Sequence, residues 1–166
     1  DTLIGGARSD LLDGGAGNDA LSGNVANDRL YGGEGSDTFQ VDADAGVDQI
    51  DGGPGDDHVD MTGTLGADNI EIATDSPTNL LTVYIPSSAV FFDAGSVESL
   101  SLDAASGVDT ITVRDLTATD LQHLRIRLSD GGPELVDNLV IYTPEADSNV
   151  LVTNAFGLLT VTGIGQ

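Results

Sequence analysis

The feature that most constrains this chain is an internal repeat of nine residues, which keeps its frame over residues 5–40. The four consecutive units read GGARSDLLD, GGAGNDALS, GNVANDRLY and GGEGSDTFQ. The next unit, VDADAGVDQID, has two extra residues, GGPGDDHVD returns to nine, and MTGTLGADNIEI is a stretched copy. Because a nine-residue unit is too short to bury its own apolar side chain, a chain of such units must stack them.

Two columns of the repeat are constant. The sixth position, or its equivalent in a stretched unit, is an aspartate, and the residue two positions later is apolar. The aspartates are Asp1, Asp10, Asp19, Asp28, Asp37, Asp48, Asp57 and Asp68, and the apolar residues are Leu3, Leu12, Leu21, Leu30, Phe39, Ile50, Val59 and Ile70. A period this regular predicts one structural unit repeated along the chain.

The residue types within a unit predict its local structure. Glycines among the first six positions permit positive φ, which predicts a turn there. The last three positions predict a short strand with one side chain pointing inward. Two units then form one flattened coil of about 18 residues, with turns along two edges. Units n and n+2 lie above one another at about 4.8 Å, and their apolar residues form a continuous ladder.

This stacking places aspartate above aspartate on both edges of the coil. Carboxylates so close repel by about 1 kcal/mol per pair in water, and by more where they lose water. Cations between the coils would relieve the repulsion, and about six hard oxygen ligands from aspartates and turn carbonyls suit Ca²⁺ better than Mg²⁺. We expect one edge to carry Asp1, Asp19, Asp37 and Asp57, and the other to carry Asp10, Asp28, Asp48 and Asp68.

The units resemble the nonapeptide repeats of RTX (repeats-in-toxin, hemolysin-type) proteins, a calcium-binding repeat pattern. Three hexads match the full GGxGxD pattern: GGAGND at 14–19, GGEGSD at 32–37 and GGPGDD at 52–57. All three fall on the same predicted edge. The resemblance implies an all-β fold, a right-handed parallel β-roll or β-helix solenoid stabilised by Ca²⁺ between its turns.

The resemblance also implies the metal ligands, which are aspartate carboxylates and turn carbonyls. On the second edge the pattern is incomplete, because Arg8, Asn24 and Ala26 replace glycines and the unit of Asp48 keeps only Gly46. We therefore expect weaker sites there and four or five Ca²⁺ ions in total. The implied ligands are Asp1, Gly5, Ala7, Asp10, Gly14, Gly15, Ala16, Gly17, Asp19, Gly23, Val25, Asp28, Gly32, Gly33, Glu34, Gly35, Asp37, Asp48, Gly52, Gly53, Pro54, Gly55 and Asp57.

After residue 72 the glycine density falls and short β-branched segments follow one another. They are predicted strands at 80–85, 89–94, 97–102, 109–113, 124–128, 138–142, 149–153 and 158–164. Looser copies of the repeat precede three strands, at 66–70, 107–111 and 135–139. We expect residues 1–72 to form the calcium-binding β-roll and residues 73–166 to continue it as a wider β-helix or to cap it. A separate β-sandwich is the alternative for the second half.

Charge and composition exclude several classes of protein. The formal net charge is −23, with five arginines and no lysine, so phosphate groups of nucleic acids and anionic membranes are unfavourable partners. No apolar run has the length of a membrane span, and without cysteine there is neither a disulfide nor a Cys-ligated zinc site. No catalytic motif occurs, and we expect His58 and His123 to be surface residues of a protein that is not an enzyme.

These observations predict a calcium-binding structural module that folds when Ca²⁺ binds. The resemblance to RTX proteins implies a secreted or surface bacterial protein, exported unfolded and folded in extracellular calcium. Because the chain starts at Asp1 without a methionine or a signal peptide, we expect it to be a piece of a longer protein, with flanking domains as neighbours. The alternatives are an accessory module of a polysaccharide-active enzyme and an adhesion module that self-associates through its solenoid ends.

Overall fold

The structure is a computed structural model, and it describes residues 1–43, 45–86, 90–128, 137–142, 151–155 and 158–162. For residues 90, 91, 151–155 and 158–162 only the backbone is considered. The regular elements of this part are all strands, as the all-β prediction requires. They are β1 (Thr2–Gly6), β2 (Leu11–Ala16), β3 (Ala20–Asn24), β4 (Arg29–Glu34), β5 (Thr38–Val41), β6 (Val47–Asp51), β7 (His58–Thr62), β8 (Asn69–Thr74), β9 (Leu81–Ile85), β10 (Val90–Gly95), β11 (Ser99–Asp103), β12 (Thr110–Val113), β13 (His123–Arg127), β14 (Asn138–Ile141), β15 (Leu151–Ala155) and β16 (Leu158–Thr162).

The strands form two sheets, and from β1 to β7 successive strands alternate between them. The first sheet has the order β1-β3-β5-β7-β11-β13-β16-β15, and the second has the order β14-β12-β8-β9-β10-β6-β4-β2. Strands β1 and β3 are parallel, with Leu3 beside Leu21, so one coil takes 18 residues. Leu30 lies beside Ile50, and the two extra residues of the stretched unit are therefore absorbed outside the strands. The predicted parallel solenoid is confirmed.

The strands are longer than the predicted triplets, since β2 and β4 continue through the first three residues of the following hexad. The hexad glycines at these positions still pair with the neighbouring coil, as Gly15 does with Gly33. A glycine pair has no side chain to clash at the turn, so the ladder of backbone hydrogen bonds continues into it.

The core lies between the two sheets and consists of the predicted apolar column. Leu21, Phe39 and Val59 stack in the first sheet, and all three are almost completely buried. Burial of side chains of this size contributes about 1.5–3 kcal/mol each relative to exposure. At the end of the solenoid Leu3 and Leu12 are only partly buried against this core. Each coil thus depends on the next coil to cover its apolar residue.

The order of the second sheet corrects one prediction. Strand β8 was expected to stack on β6, two units earlier, but β10 occupies that place and pairs parallel with β6. Strand β9 lies antiparallel between β8 and β10, so these three strands form a meander. The turn begins at Asp75, whose N–H donates to the carbonyl of Leu80. Two strands therefore separate β8 from β6, and the aspartate before β8 does not lie over Asp48.

Beyond the meander the parallel stacking resumes. Strand β11 pairs with β7, and β12 pairs with β8, each in the parallel sense. The eight strands predicted after residue 72 all occur, with boundaries shifted by at most two residues, while the predicted strand residues 89, 149, 150, 163 and 164 lie outside the described part of the chain. Antiparallel strands β16 and β15 end the first sheet. Among the described residues, no helix has both the length and the apolar character that crossing a membrane requires.

Candidate metal centre

The aspartates of the first edge form a hydrogen-bonded ladder. Asp19, Asp37 and Asp57 are buried, with at most 4% of each residue exposed. The backbone N–H of Asp19 donates to Oδ1 of Asp37 over 2.8 Å, and the N–H of Asp37 donates to Oδ1 of Asp57 over 2.8 Å. Because each carboxylate binds the backbone of the preceding coil through one oxygen, the ladder fixes the position of the other oxygen.

The second edge repeats this geometry despite its incomplete glycine pattern. The N–H of Asp10 donates to Oδ1 of Asp28 over 2.7 Å, and the N–H of Asp28 donates to Oδ1 of Asp48 over 2.8 Å. Asp28 and Asp48 are as buried as the aspartates of the first edge. The predicted stacking of aspartates is thus confirmed on both edges as far as Asp48 and Asp57.

Four ladder aspartates have a second carboxylate oxygen without a hydrogen-bond partner. Among the described residues, Oδ2 of Asp19, Asp28, Asp37 and Asp57 is buried and unpaired. A buried carboxylate oxygen without a partner costs free energy, which a bound cation can recover. An oxygen of this kind, held in place by the ladder, is a suitable ligand for Ca²⁺.

Two of the buried ladder aspartates have raised pKa values. Burial raises the pKa of Asp48 to about 6, and the nearby Asp28 carboxylate contributes to the rise. Burial also raises the pKa of Asp57 to about 6, with smaller contributions from Asp37 and Glu98. In both cases the hydrogen bond from the preceding coil opposes the rise. The ionised carboxylates are therefore destabilised unless a positive charge lies beside them.

The first glycine of each hexad marks where oxygen atoms converge. A Cβ atom on Gly14 would lie 2.5 Å from the carbonyl oxygen of Gly32 and 2.7 Å from Oδ2 of Asp19. On the other edge, a Cβ on Gly5 would lie 2.6 Å from the Gly23 carbonyl and 2.8 Å from the Asp10 carboxylate. Gly32 and Gly52 have the same pair of neighbours, whereas the atoms nearest a Cβ on Gly23 all belong to the Asp28 side chain. The turns of Gly5, Gly14, Gly32 and Gly52 thus bring a carboxylate oxygen and a carbonyl oxygen of the next coil together, a donor set that fits a hard cation.

The glycines at the second position of the three complete hexads supply positive φ. Gly15, Gly33 and Gly53 at the second position have φ of 93°, 106° and 90°. On the second edge Asn24 and Ala26 replace glycines and still adopt φ of 64° and 90°. Asparagine tolerates this region, as predicted, whereas Ala26 is strained there. The turn on the incomplete edge therefore keeps the backbone path of a full hexad.

The third and fourth positions connect successive turns. The N–H of Gly17 donates to the carbonyl of Glu34 over 2.7 Å, and that of Gly35 donates to the carbonyl of Pro54 over 3.0 Å. The matching third positions of the remaining predicted sites are Ala7, Ala16 and Val25, and Gly55 is the fourth position that follows Pro54. All these residues lie in the stacked turns of the two edges, where the sequence placed them.

The coil at the start of the chain differs from the others. Asp1 is exposed, and its terminal amino group contacts Oδ1 of Asp19. Oδ2 of Asp10 accepts a hydrogen bond of 2.6 Å from the N–H of Gly6, so this oxygen already has a partner. The outer coil therefore offers a less complete set of free oxygens than the coils inside the stack.

Sequence reasoning missed one member of the first ladder. The N–H of Asp57 donates to Oε2 of Glu98 over 2.8 Å, so Glu98 occupies the place of the next aspartate. Its signal in the sequence is the spacing to Leu100, which lies beside Val59 as the apolar residue two positions later. Because Glu98 is not an aspartate and lies 41 positions after Asp57, the nine-residue frame did not identify it.

Asp68 belongs to a third ladder and not to the second edge, which corrects the predicted column. Its N–H donates to Oδ1 of Asp109 over 2.8 Å, and the N–H of Asp109 donates to Oδ1 of Asp137 over 2.9 Å. These are the aspartates of the three looser repeat copies. The meander of β9 and β10 separates this ladder from Asp48.

The carboxylates do not form a compact cluster of side chains. Within the part of the chain that the structure describes, no three His, Cys, Asp or Glu residues converge on one point. This is expected where each coil contributes one carboxylate per edge, because most ligands would then be backbone carbonyls. The histidines are apart from the ladders: His123 is exposed, and His58 is partly buried, with Nε2 2.9 Å from Asp60 and 3.1 Å from Ser101.

A comparison with known protein families found a match in the region of the two ladders. A sequence model described as "RTX calcium-binding nonapeptide repeat (4 copies)" matches residues 4–39 and 23–59. These two ranges contain the ladders of both edges from Asp10 to Asp57. No curated protein and no solved structure gave a significant match to the chain.

Proposed function

Residues 4–59 belong to the RTX calcium-binding nonapeptide repeats, and from this premise we propose that the chain is a structural module whose folding is driven by Ca²⁺ outside the cell. The matched repeats are calcium-binding structural elements rather than catalytic ones. Proteins with these repeats are typically secreted. Extracellular calcium would therefore meet this chain as it emerges from the cell.

The observation that carries the proposal is the set of buried, unpaired Oδ2 atoms on Asp19, Asp28, Asp37 and Asp57. A metal-free solenoid would leave these oxygens without compensation. Ca²⁺ would be held by these carboxylates together with turn carbonyls of the adjacent coils. The bound ion supplies positive charge and links neighbouring turns, while the backbone ladder keeps the carboxylates in place.

We propose four or five ions, with the stronger sites on the edge of Asp19, Asp37 and Asp57. This edge carries all three complete hexads, and each of its three aspartates has a buried Oδ2 without a hydrogen-bond partner. Asp10 is weaker as a ligand because Gly6 already binds its second oxygen. The strained turn at Ala26 also favours the first edge.

The net charge explains why folding would depend on the ion. A charge of −23 on 166 residues opposes a compact state through self-repulsion. Since an intact site does not exist in the unfolded chain, the free energy of Ca²⁺ binding becomes free energy of folding. The protein would stay unfolded in calcium-poor cytosol and fold in calcium-rich surroundings.

We further propose that residues 1–72 are the calcium-binding roll and that residues 73–166 continue or cap it. Parallel pairing of β11 with β7 and of β12 with β8 favours continuation over a separate β-sandwich. The antiparallel pair β15–β16 at the end of the first sheet favours a capping role for the last strands.

Far-UV circular dichroism with and without Ca²⁺ tests the proposal. The metal-free protein is expected to give the spectrum of a largely unfolded chain, and titration with Ca²⁺ should produce a cooperative rise of β signal. Mg²⁺ at the same concentration is the matched control and should produce much less. A metal-free sample with the full β signal and the same melting temperature would contradict the proposal.

A second candidate function is binding of a glycan, as in an accessory module of a polysaccharide-active enzyme. A groove of about 510 Å³ lies beside the meander, and its lining includes Tyr31, Gln49, Asp51, Asp93 and Asp120. Burial and the charge of Asp75 raise the pKa of Asp93, one of whose carboxylate oxygens is unpaired. Hydroxyl groups of a sugar would satisfy such acceptors. Glycan-array binding that disappears in Tyr31→Ala would favour this function.

Adhesion by self-association is a third candidate. Strands β1 and β2 end the two sheets on the same side and expose Ile4 and Leu11. Exposed apolar side chains on neighbouring strands can pack against another copy of the chain. Sedimentation that depends on protein concentration only in the presence of Ca²⁺ would favour this function over a monomeric spacer.

A further inference from the structure

The turn before β12 follows the backbone path of a calcium-binding hexad without its sequence. In residues 104–109, Ala105 has φ of 61° and Gly107 has φ of 142°. In the complete hexad 32–37, the second and fourth positions have φ of 106° and 133°. The two turns thus have left-handed residues at the same two positions, although residues 104–109 read AASGVD.

This turn also stacks on its neighbour as the hexads do. A Cβ on Gly107 would lie 2.5 Å from the carbonyl oxygen of Gly66, which precedes β8. A Cβ on Gly63 would lie 3.0 Å from the Ala104 carbonyl and 3.1 Å from Oδ2 of Asp68. Gly14 has the same pair of neighbours, the carbonyl of the next coil and the aspartate of its own turn. Turns 63–68 and 104–109 therefore bring carbonyl and carboxylate oxygens together. Both oxygens of Asp68 already accept hydrogen bonds from Thr64, Oδ2 from its N–H over 2.7 Å and Oδ1 from its Oγ1 over 2.9 Å, so the available carboxylate oxygen has to come from Asp109.

Asp109 supplies a separate observation, which points to a ligand. The residue is completely buried, and its Oδ1 accepts the N–H of Asp68 at 2.8 Å. Its Oδ2 is buried without a hydrogen-bond partner, as in the aspartates of the matched repeats. A buried carboxylate oxygen without a partner costs free energy, which a positive charge close to it can recover.

We propose that Ca²⁺ binds between the turns 63–68 and 104–109, with Oδ2 of Asp109 and turn carbonyls as ligands. The site lies outside residues 4–59, which the repeat family matches. It depends on the proposed calcium function for its chemistry but uses a different ladder, which the meander separates from Asp48. Its turns are 41 residues apart in the chain instead of 18 or 20, and alanines replace the first two glycines of the upper turn.

The site would give the second half of the chain its own dependence on Ca²⁺. Asp48 and Asp57 are the last aspartates of the two ladders in the matched repeats, and neither belongs to the ladder of Asp109. Loss of Ca²⁺ at Asp109 is therefore expected to loosen β8 and β12 while β1 to β6 stay folded. Two transitions would then occur in a calcium titration.

Calorimetric titration of the whole chain with CaCl₂ tests this site. Asp109→Asn keeps the Oδ1 acceptor for Asp68 and removes the charge, and it should bind one ion fewer than the wild type. Asp13→Asn, an exposed aspartate on β2, is the matched control and should bind as many ions as the wild type. Asp37→Asn reports on the matched repeats in the same assay.

The outcomes separate this inference from the proposed function. Wild-type stoichiometry in Asp109→Asn together with a loss in Asp37→Asn would overturn the inference and leave the function intact. A wild-type chain that binds no Ca²⁺ would overturn both. If Asp109→Asn does not fold, a crystal of the wild type grown in CaCl₂ decides. Anomalous density between the two turns supports the site, and density at Asp37 without density there refutes it.

Discussion

The backbone N–H of Asp37 donates to Oδ1 of Asp57 in the next coil over 2.8 Å, while Oδ2 of Asp57 is buried without a partner. The two oxygens of one carboxylate therefore have different roles. One replaces a backbone carbonyl in holding adjacent coils together, and the other is available to a cation. An amide side chain can accept the backbone hydrogen bond but cannot be a charged ligand of a cation. Asp→Asn substitutions therefore separate the two roles.

Asp37→Asn should lower the number of bound Ca²⁺ ions more than Asp28→Asn does. Asp37 lies between two complete hexads, whereas the turn of Asp28 contains Asn24 and Ala26 in place of glycines. Both variants keep the Oδ1 acceptor, so the ladder hydrogen bond should persist. Calorimetric titration with CaCl₂ measures the stoichiometry of each. Equal losses would mean that the two edges bind calcium equally well.

Gly32→Ala should destabilise the calcium-loaded protein by about 1–3 kcal/mol, the usual cost of forcing an extra methyl group into a packed site. Its Cβ would collide with the carboxylate of Asp37 and lie 2.6 Å from the backbone carbonyl of Gly52. Gly66→Ala is the matched control, since its nearest neighbour is a side-chain oxygen of Thr64 at 3.7 Å. Urea unfolding in CaCl₂ measures both, and similar losses in the two variants would contradict the steric explanation.

Acidification should stabilise the metal-free fold and weaken calcium binding. Burial raises the pKa of Asp48 and Asp57 to about 6 in the folded chain, above the ordinary value of 3.8. The folded state then binds more protons, so this contribution to stability is complete below pH of about 4 and is lost as the pH rises through about 6.

Circular dichroism of the metal-free protein between pH 7.5 and 4.5 should accordingly gain β signal toward acid. Over the same range the apparent affinity for Ca²⁺ should fall, because protons and the ion compete for the same carboxylates. Asp57→Asn, which cannot titrate at this position, should give a smaller pH response. A calcium affinity that is constant over this range would be incompatible with the raised pKa values.

Glu98→Ala should cost about 1–3 kcal/mol, because it leaves the N–H of Asp57 without its acceptor in a partly buried place. Glu98→Gln keeps an oxygen acceptor and should lose less. Glu71→Ala serves as the control for removal of a glutamate, since its ion pair with Arg114 is exposed to solvent and contributes little to stability. Thermal unfolding in CaCl₂ ranks the three variants. The ladder would end at Asp57 if Glu98→Ala were no less stable than Glu71→Ala.

Much of the first half followed from the sequence because its interactions repeat at short, constant separation. The aspartate and apolar columns identified the residues that stack, and the strand spacing gave an 18-residue coil, as Leu3 beside Leu21 confirms. The full hexads also indicated the backbone path of the turns. Even the turn of Asn24 and Ala26 keeps that path, since stacking against the neighbouring coils compensates for its strain.

The tertiary structure alone decided how the strands after residue 72 pair. The sequence determined that the second half consists of strands, and their positions were predicted to within two residues. It did not determine that β9 and β10 intervene between β6 and β8, that Glu98 continues the first ladder, or that Asp68 binds Asp109. A strand in this region can satisfy its backbone against any open edge, parallel or antiparallel. Which edge a strand joins depends on competition with other strands that lie about 20–40 residues away in the chain. The second half has no constant repeat period that would indicate the winning pair.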